Sequence, residues 1–125
     1  MVRSLRAELL LAASFVCAGA SARYLRRMAP ASVTFVVTGI YPDHDGDEDA
    51  ACADYIAGLL RGEAPDAAPF LRRVRDSASG RMFADPARPE FPAEDLDYCT
   101  DMDRFDFAML AERRDGLLVM RPVRA

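Results

Sequence analysis

The chain contains no lysine, asparagine, glutamine or tryptophan, a single histidine (His44) and three cysteines in 125 residues. All 16 basic residues are arginine and 22 residues are alanine, which is the amino-acid usage of a GC-rich genome and not a functional signal. Cys17, Cys52 and Cys99 are far apart and form no CxxC pair, so the four closely spaced ligands of a structural zinc site are missing. They read instead as buried free thiols of a reducing compartment. There is no glycine-rich phosphate loop, no GxSxG elbow and no Cys–His pair. Nucleophilic catalysis therefore has no visible candidate. The longest apolar run, residues 9–20, is too short to span a membrane.

What is present bounds the class. The sequence is 51% apolar and 29% charged, with a formal net charge of −4. That apolar fraction excludes wholesale disorder, and the mild acidity argues against a dedicated nucleic-acid binder. The length suits one domain over residues 1–125, able to bury a core without disulfide or metal staples.

The first 22 residues carry two readings. Arg3 and Arg6 precede the apolar run, and Ala20-Ser21-Ala22 has the small-x-small form of a cleavage site, which together make the layout of a secretory signal peptide. On that reading the protein is a secreted acidic domain. Glu8 at the entrance to the run opposes it, and residues 9–15 followed by 18–28 also read as a strand and a helix.

Further along, Pro30 ends the first helix. Residues 32–38 (SVTFVVT) are apolar on both faces, the pattern of a central strand in a buried parallel sheet. A helix over 48–60 places Ala51, Cys52, Tyr55, Ile56, Leu59 and Leu60 on one face, with Gly62 as its stop. Another is expected over 66–77, with Phe70, Leu71 and Val74 inward and Arg72, Arg73 and Arg75 solvated. Residues 79–92, rich in proline, read as a loop, and 92–102 as a short helix opened by Pro92, Glu94 and Asp95. Two strands, 105–111 and 117–122, meet at Asp115-Gly116, a strong turn signal. The order β-α-β-α-α-α-β-β describes an α/β protein with a layered α/β/α sheet.

The densest chemical feature is Asp43-His44-Asp45-Gly46-Asp47-Glu48-Asp49, placed after a predicted strand and at the start of a helix. Ligands of α/β sheets usually bind there. Hard carboxylate oxygens suit Mg²⁺, which takes one or two protein carboxylates with water and substrate phosphate. An EF-hand is excluded, because its sixth position, a required glycine, is Glu48 and its twelfth is Asp54. The alternative is that Asp47, Glu48 and Asp49 only complement a helix N-terminus. Arg104, flanked by Asp103 and Asp106, serves either to bind an anion or as a solvent-facing ion pair. Asp101 and Asp103 read as solvated helix-end charges.

Four stretches, in order, resemble the 2-phosphosulfolactate phosphatases. Ala13-Ser14-Phe15-Val16-Cys17-Ala18-Gly19-Ala20 is similar to the family's strand-to-helix segment, Ser-Phe followed by Asn and small residues. Val33-Thr34-Phe35-Val36-Val37-Thr38-Gly39 resembles a strand ending in glycine. Glu48-Asp49 with Cys52-Ala53 resembles the Glu-Asp helix opening, and Glu94-Asp95-Leu96-Asp97-Tyr98-Cys99 with Asp103-Arg104-Phe105 the C-terminal segment.

The resemblance implies Mg²⁺-dependent hydrolysis of 2-phosphosulfolactate, a small acidic phosphate ester, in the cytoplasm, as a step towards coenzyme M. It implies that Glu48 and Asp49 hold Mg²⁺ or its water and that Gly39 and Arg104 meet the substrate. It favours the strand-and-helix reading of the N-terminus, and involves neither nucleic acid nor membrane. The chain departs from the family in having Cys17 where Asn is common, and it matches only about the C-terminal half. The fold is then incomplete relative to the family, and the catalytic residues lie in the other half, which carries an Asp/Arg-containing strand end and a Thr-Asn-Gly segment. The partner is that half or a second copy of the chain. The non-enzyme alternative is an inactive remnant or interaction module of the same fold.

Overall fold

The structure, a computed structural model of the chain, describes residues 7–38 and 46–125. It opens with β1 (Leu11–Ala12), a 3₁₀ turn (Phe15–Cys17) and α1 (Ala18–Met28). Then follow α2 (Asp47–Leu60), α3 (Ala68–Asp76), α4 (Ala78–Phe83) and α5 (Ala93–Cys99), and the hairpin of β2 (Phe107–Arg114) with β3 (Leu117–Arg124). This is the α/β class expected.

The three strands form one antiparallel sheet in the order β1-β2-β3, with Leu11 opposite Leu110 and Ala108 opposite Val123. The β2–β3 loop is the two-residue Asp115-Gly116 turn, and both residues have positive φ (50° and 79°). That geometry matches the twist of a hairpin, which is why the Asp-Gly pair predicts it. The inner strand β2 buries Ala108, Leu110 and Ala111, whereas the edge strand β3 leaves Leu117 and Met120 exposed.

The expected central strand over 32–38 does not form: these residues have no strand ladder and are exposed. Their β-branched composition supplies propensity, but a strand needs a neighbour to accept its hydrogen bonds, and among the described residues the sheet ends at β1. The buried parallel sheet is thus replaced, among the described residues, by an antiparallel one. The loop expected over 79–92 includes most of α4. There Ser77 ends α3 and caps α4 by accepting a hydrogen bond from the Gly80 N–H at 3.0 Å.

The core joins four helices. Phe15, Ala18, Ala22, Ala51, Cys52, Tyr55, Ile56, Val74 and Leu96 form one buried cluster, with Phe70 and Leu71 packed on it. An aromatic run threads it, Phe15 to Tyr55 at 6.0 Å between centroids and Tyr55 to Phe70 at 5.5 Å. The apolar N-terminal run is therefore part of this core, since Phe15, Ala18 and Ala22 all precede the cleavage position considered above. Two of the three thiols are buried as expected, but Cys99 is exposed. Burial pushes the Cys52 thiol up to about 12, with the nearby Cys17 and Asp49 adding to the effect, so it stays protonated at neutral pH.

Candidate functional site

The first turn of α2 carries Asp47, Glu48 and Asp49, and Gly46 enters it in the left-handed conformation (φ 67°). Adjacent helical residues point about 100° apart, so three consecutive carboxylates must fan out towards different neighbours. Asp47 accepts from Arg73 of α3, at 2.6 Å from Nη2 and 3.1 Å from Nε. The same guanidinium reaches Asp54 through Nη1 at 2.8 Å. The Arg73 hydrogen bonds hold the Asp47 carboxyl below its usual range, against a smaller opposing effect of burial. Glu48 accepts from the Ser79 hydroxyl of α4 at 2.8 Å. Asp49 accepts from both the Thr38 N–H and the Thr38 hydroxyl, each at 3.0 Å.

Each of Glu48 and Asp49 thus has one oxygen held by a hydroxyl, while Glu48 Oε2 and Asp49 Oδ1 are left without a hydrogen bond among the described residues. Hydroxyl donors of this kind fix the orientation of metal-binding carboxylates. Glu48 and Asp49 are half-buried and turn from adjacent positions towards different partners, so either carboxylate offers one open hard oxygen, and Mg²⁺ takes only one or two carboxylates from a protein. Among the described residues no group of three or more His, Cys, Asp or Glu side chains gathers as a metal cluster. Asp43, His44 and Asp45, and also Gly39, lie outside the described residues.

Arg104 is in an ion pair with Asp101 at 2.8 Å, and its guanidinium lies over the Tyr98 ring at 5.3 Å. Among the described residues no hydrogen bond or ion pair links it to Glu48 or Asp49. An open depression of about 290 Å³ along α4 is lined by Ala78, Arg81, Met82, Asp85 and Arg88. Its cations are already engaged: Arg81 donates to the Asp76 carbonyl, and Arg88 pairs loosely with Asp85 at 3.7 Å.

Three residues prove to be something other than solvated charges. Asp103 is a cap: its Oδ1 accepts from the Gly19 N–H at 2.6 Å, in the first turn of α1. A Cβ on Gly19 would lie 2.7 Å from the other carboxylate oxygen, so only glycine permits this approach. Asp103 itself sits at φ 52°, and its backbone N–H donates to Phe15 at 3.0 Å. No local pattern signals a contact between residues 84 positions apart. Arg73 straps α3 to α2, and Arg75 straps α3 to α5 through Asp97 (3.1 Å) and the Thr100 hydroxyl (2.9 Å).

No family model and no solved structure matches the chain. Over 114 residues, however, it is 31% identical to a probable 2-phosphosulfolactate phosphatase of Bacillus subtilis (strain 168). The chain resembles the 2-phosphosulfolactate phosphatases. The match takes in 90% of this chain and 49% of the Bacillus protein, so the chain spans about half the length of the curated relative it matches. That share agrees with a resemblance to one half of the family protein, as the four ordered motifs implied. No helix among the described residues is long and apolar enough to cross a membrane.

Proposed function

We propose that this chain supplies one half of a phosphoric monoester hydrolase that converts 2-phosphosulfolactate and water into sulfolactate and phosphate. The observation that carries the reading is the 31% identity running through 90% of the chain. Glu48 and Asp49 would hold Mg²⁺ through the oxygens left open by Ser79 and Thr38, which keep the two carboxylates in place. The ion, when bound, would polarise the phosphoryl oxygens of the ester. Gly39 would give the substrate close approach to the backbone, and Arg104 would meet a substrate anion after exchanging its Asp101 partner. The substrate is a small acidic ester, the setting cytoplasmic, and the reaction serves coenzyme M formation where that cofactor is made.

The catalytic groups belong to the half of the relative that this chain does not match, so the isolated chain is inactive. Phosphate release from 2-phosphosulfolactate tests this, with the chain alone and combined with a polypeptide corresponding to that other half. Activity only in the combination, dependent on Mg²⁺ and lowered at least about tenfold by Glu48→Gln or Asp49→Asn, is the expected result. A combination that assembles but releases no phosphate from this or related acid esters overturns it. A second reading, an inactive remnant or interaction module, is favoured by the exposed, unladdered apolar segment before α2. It predicts assembly without turnover.

A further inference from the structure

In an antiparallel sheet, alternate residues of a strand turn their N–H and C=O towards opposite neighbours. The Ala111 N–H donates to the Leu10 carbonyl at 2.8 Å, so the odd-numbered residues of β2 serve β1 and the even-numbered ones serve β3. Through the register Glu112 to Val119 and Leu110 to Arg121, Val119 and Arg121 turn inwards to β2. Leu118, Met120, Pro122 and Arg124 then turn outwards. The Arg124 carbonyl accepts from Arg27 of α1 at 2.6 Å, and Pro122 has no N–H to satisfy. That leaves the N–H and C=O of Leu118 and Met120, four neighbouring backbone groups with no partner among the described residues. The side chains around them are apolar and open: Leu117 is 68% exposed, Met120 53% and Val119 37%. Strand edges are usually guarded by charge. The one cation in the middle of β3, Arg121, is instead held by Glu112 at 2.8 and 3.0 Å. Opposite charges without an ion pair among the described residues stand at the two ends of the strand, Asp115 in the turn and Arg124, both exposed. An apolar strand with opposite charges at its ends is complementary to itself run antiparallel.

We propose that β3 is a self-pairing edge, through which two copies of this chain join their sheets across a two-fold axis at Val119. Leu118 then lies opposite Met120 of the second copy, and Met120 opposite the second copy's Leu118, so every free N–H and C=O of these residues is bonded across the axis. Val119 meets its own counterpart, and Leu117 covers the stem of the second copy's Arg121. Pro122 lies opposite the second copy's Gly116, which has no Cβ to meet the proline ring. Asp115 comes within side-chain reach of the second copy's Arg124. Sliding the register by two residues, to an axis at Met120, sets Pro122 against Leu118 and leaves the Leu118 carbonyl without a donor, so the proline selects the register about Val119. The contact is short, and the dimer is accordingly weak and reversible. The inference is independent of phosphatase activity, and its test reads association alone.

The full chain is followed by sedimentation over a range of concentrations and by residue-resolved amide exchange. The expected result is a reversible monomer–dimer equilibrium. On passing from dilute to concentrated protein, exchange at Leu118 and Met120 slows at least about tenfold, and by more than at Val119 and Arg121, whose amides β2 already holds. Val119→Lys sets two ammonium groups against each other at the axis and should weaken the dimer at least about tenfold, with the monomer's melting temperature within about 2 °C. Asp115→Asn keeps a residue suited to the turn while removing the charge, and should weaken it about two- to fivefold. A chain that stays monomeric up to about 1 mM overturns the proposal. So does a dimer in which Leu118 and Met120 exchange at the monomer's rate, the result expected if another surface makes the contact, and so does a dimer that Val119→Lys leaves unchanged.

Discussion

Residues 51–56 of α2 and residues 33–37 are comparably apolar, yet their fates are opposite. In α2, Ala51, Cys52, Tyr55 and Ile56 are buried against α1, α3 and α5, whereas Val33, Phe35, Val36 and Val37 stay in solvent. Hydrophobicity alone does not decide burial; a complementary surface within reach of the same chain does. A helix satisfies its own backbone hydrogen bonds and needs only a side-chain partner on one stripe. A strand needs a partner for its backbone as well, and this segment has none among the described residues.

The sharpest way to break the comparison is to truncate both sides of it. Ile56, 1% exposed, should lose about 2–5 kcal/mol of unfolding free energy on Ile56→Ala, measured by urea denaturation. Val36→Ala should change it by less than about 0.5 kcal/mol. Equal costs would show that residues 33–37 already pack in the isolated chain.

A smaller effect tests how α1 is held next to the core. Asp103→Ala removes the cap on Gly19 and should cost about 0.5–2 kcal/mol. Gly19→Ala forces a methyl to within 2.7 Å of the Asp103 carboxylate and should cost about 1–3 kcal/mol. The two should not add: in the double variant the clash is already relieved, leaving it close to Asp103→Ala alone. Additive costs would mean that the two side chains do not meet.

The smallest effect concerns the strap on α2. Arg73 is about one-third exposed, so Arg73→Ala should cost no more than about 1 kcal/mol at neutral pH. Its pH dependence has a definite sign. The Asp47 carboxyl lies below its unfolded value of about 3.9, so the contribution is complete above that value and disappears as the pH falls through the folded pKa. The difference between wild type and Arg73→Ala in thermal melts should therefore hold from neutral pH to about pH 5 and shrink below about pH 4. A difference that grows on acidification would contradict the assignment.

Much of the fold was legible from local signals. The α1 boundaries follow from Pro30 and the run of small residues, the α2 pattern from its apolar stripe, and the hairpin from Asp115-Gly116, each acting within a few residues of itself. The acidic first turn of α2 was equally readable, because carboxylates at a helix start have a local cause. What they touch was not. Ser79 lies 31 positions from Glu48, and Arg73 lies 26 from Asp47. The strand expected at 32–38 failed for the related reason that pairing is a property of two segments, and propensity describes only one.

The sequence by itself determined the α/β class, the helices that build the core, the hairpin and the acidic first turn of α2, because each depends on periodicity, turn chemistry or residue type. Only the tertiary structure decided that Asp103 caps α1, that Arg73 binds α3 to α2, that Cys99 is exposed and that residues 33–37 are left uncovered. Those outcomes depend on which distant groups arrive within a few ångströms of one another, and chain topology, not local composition, sets that distance.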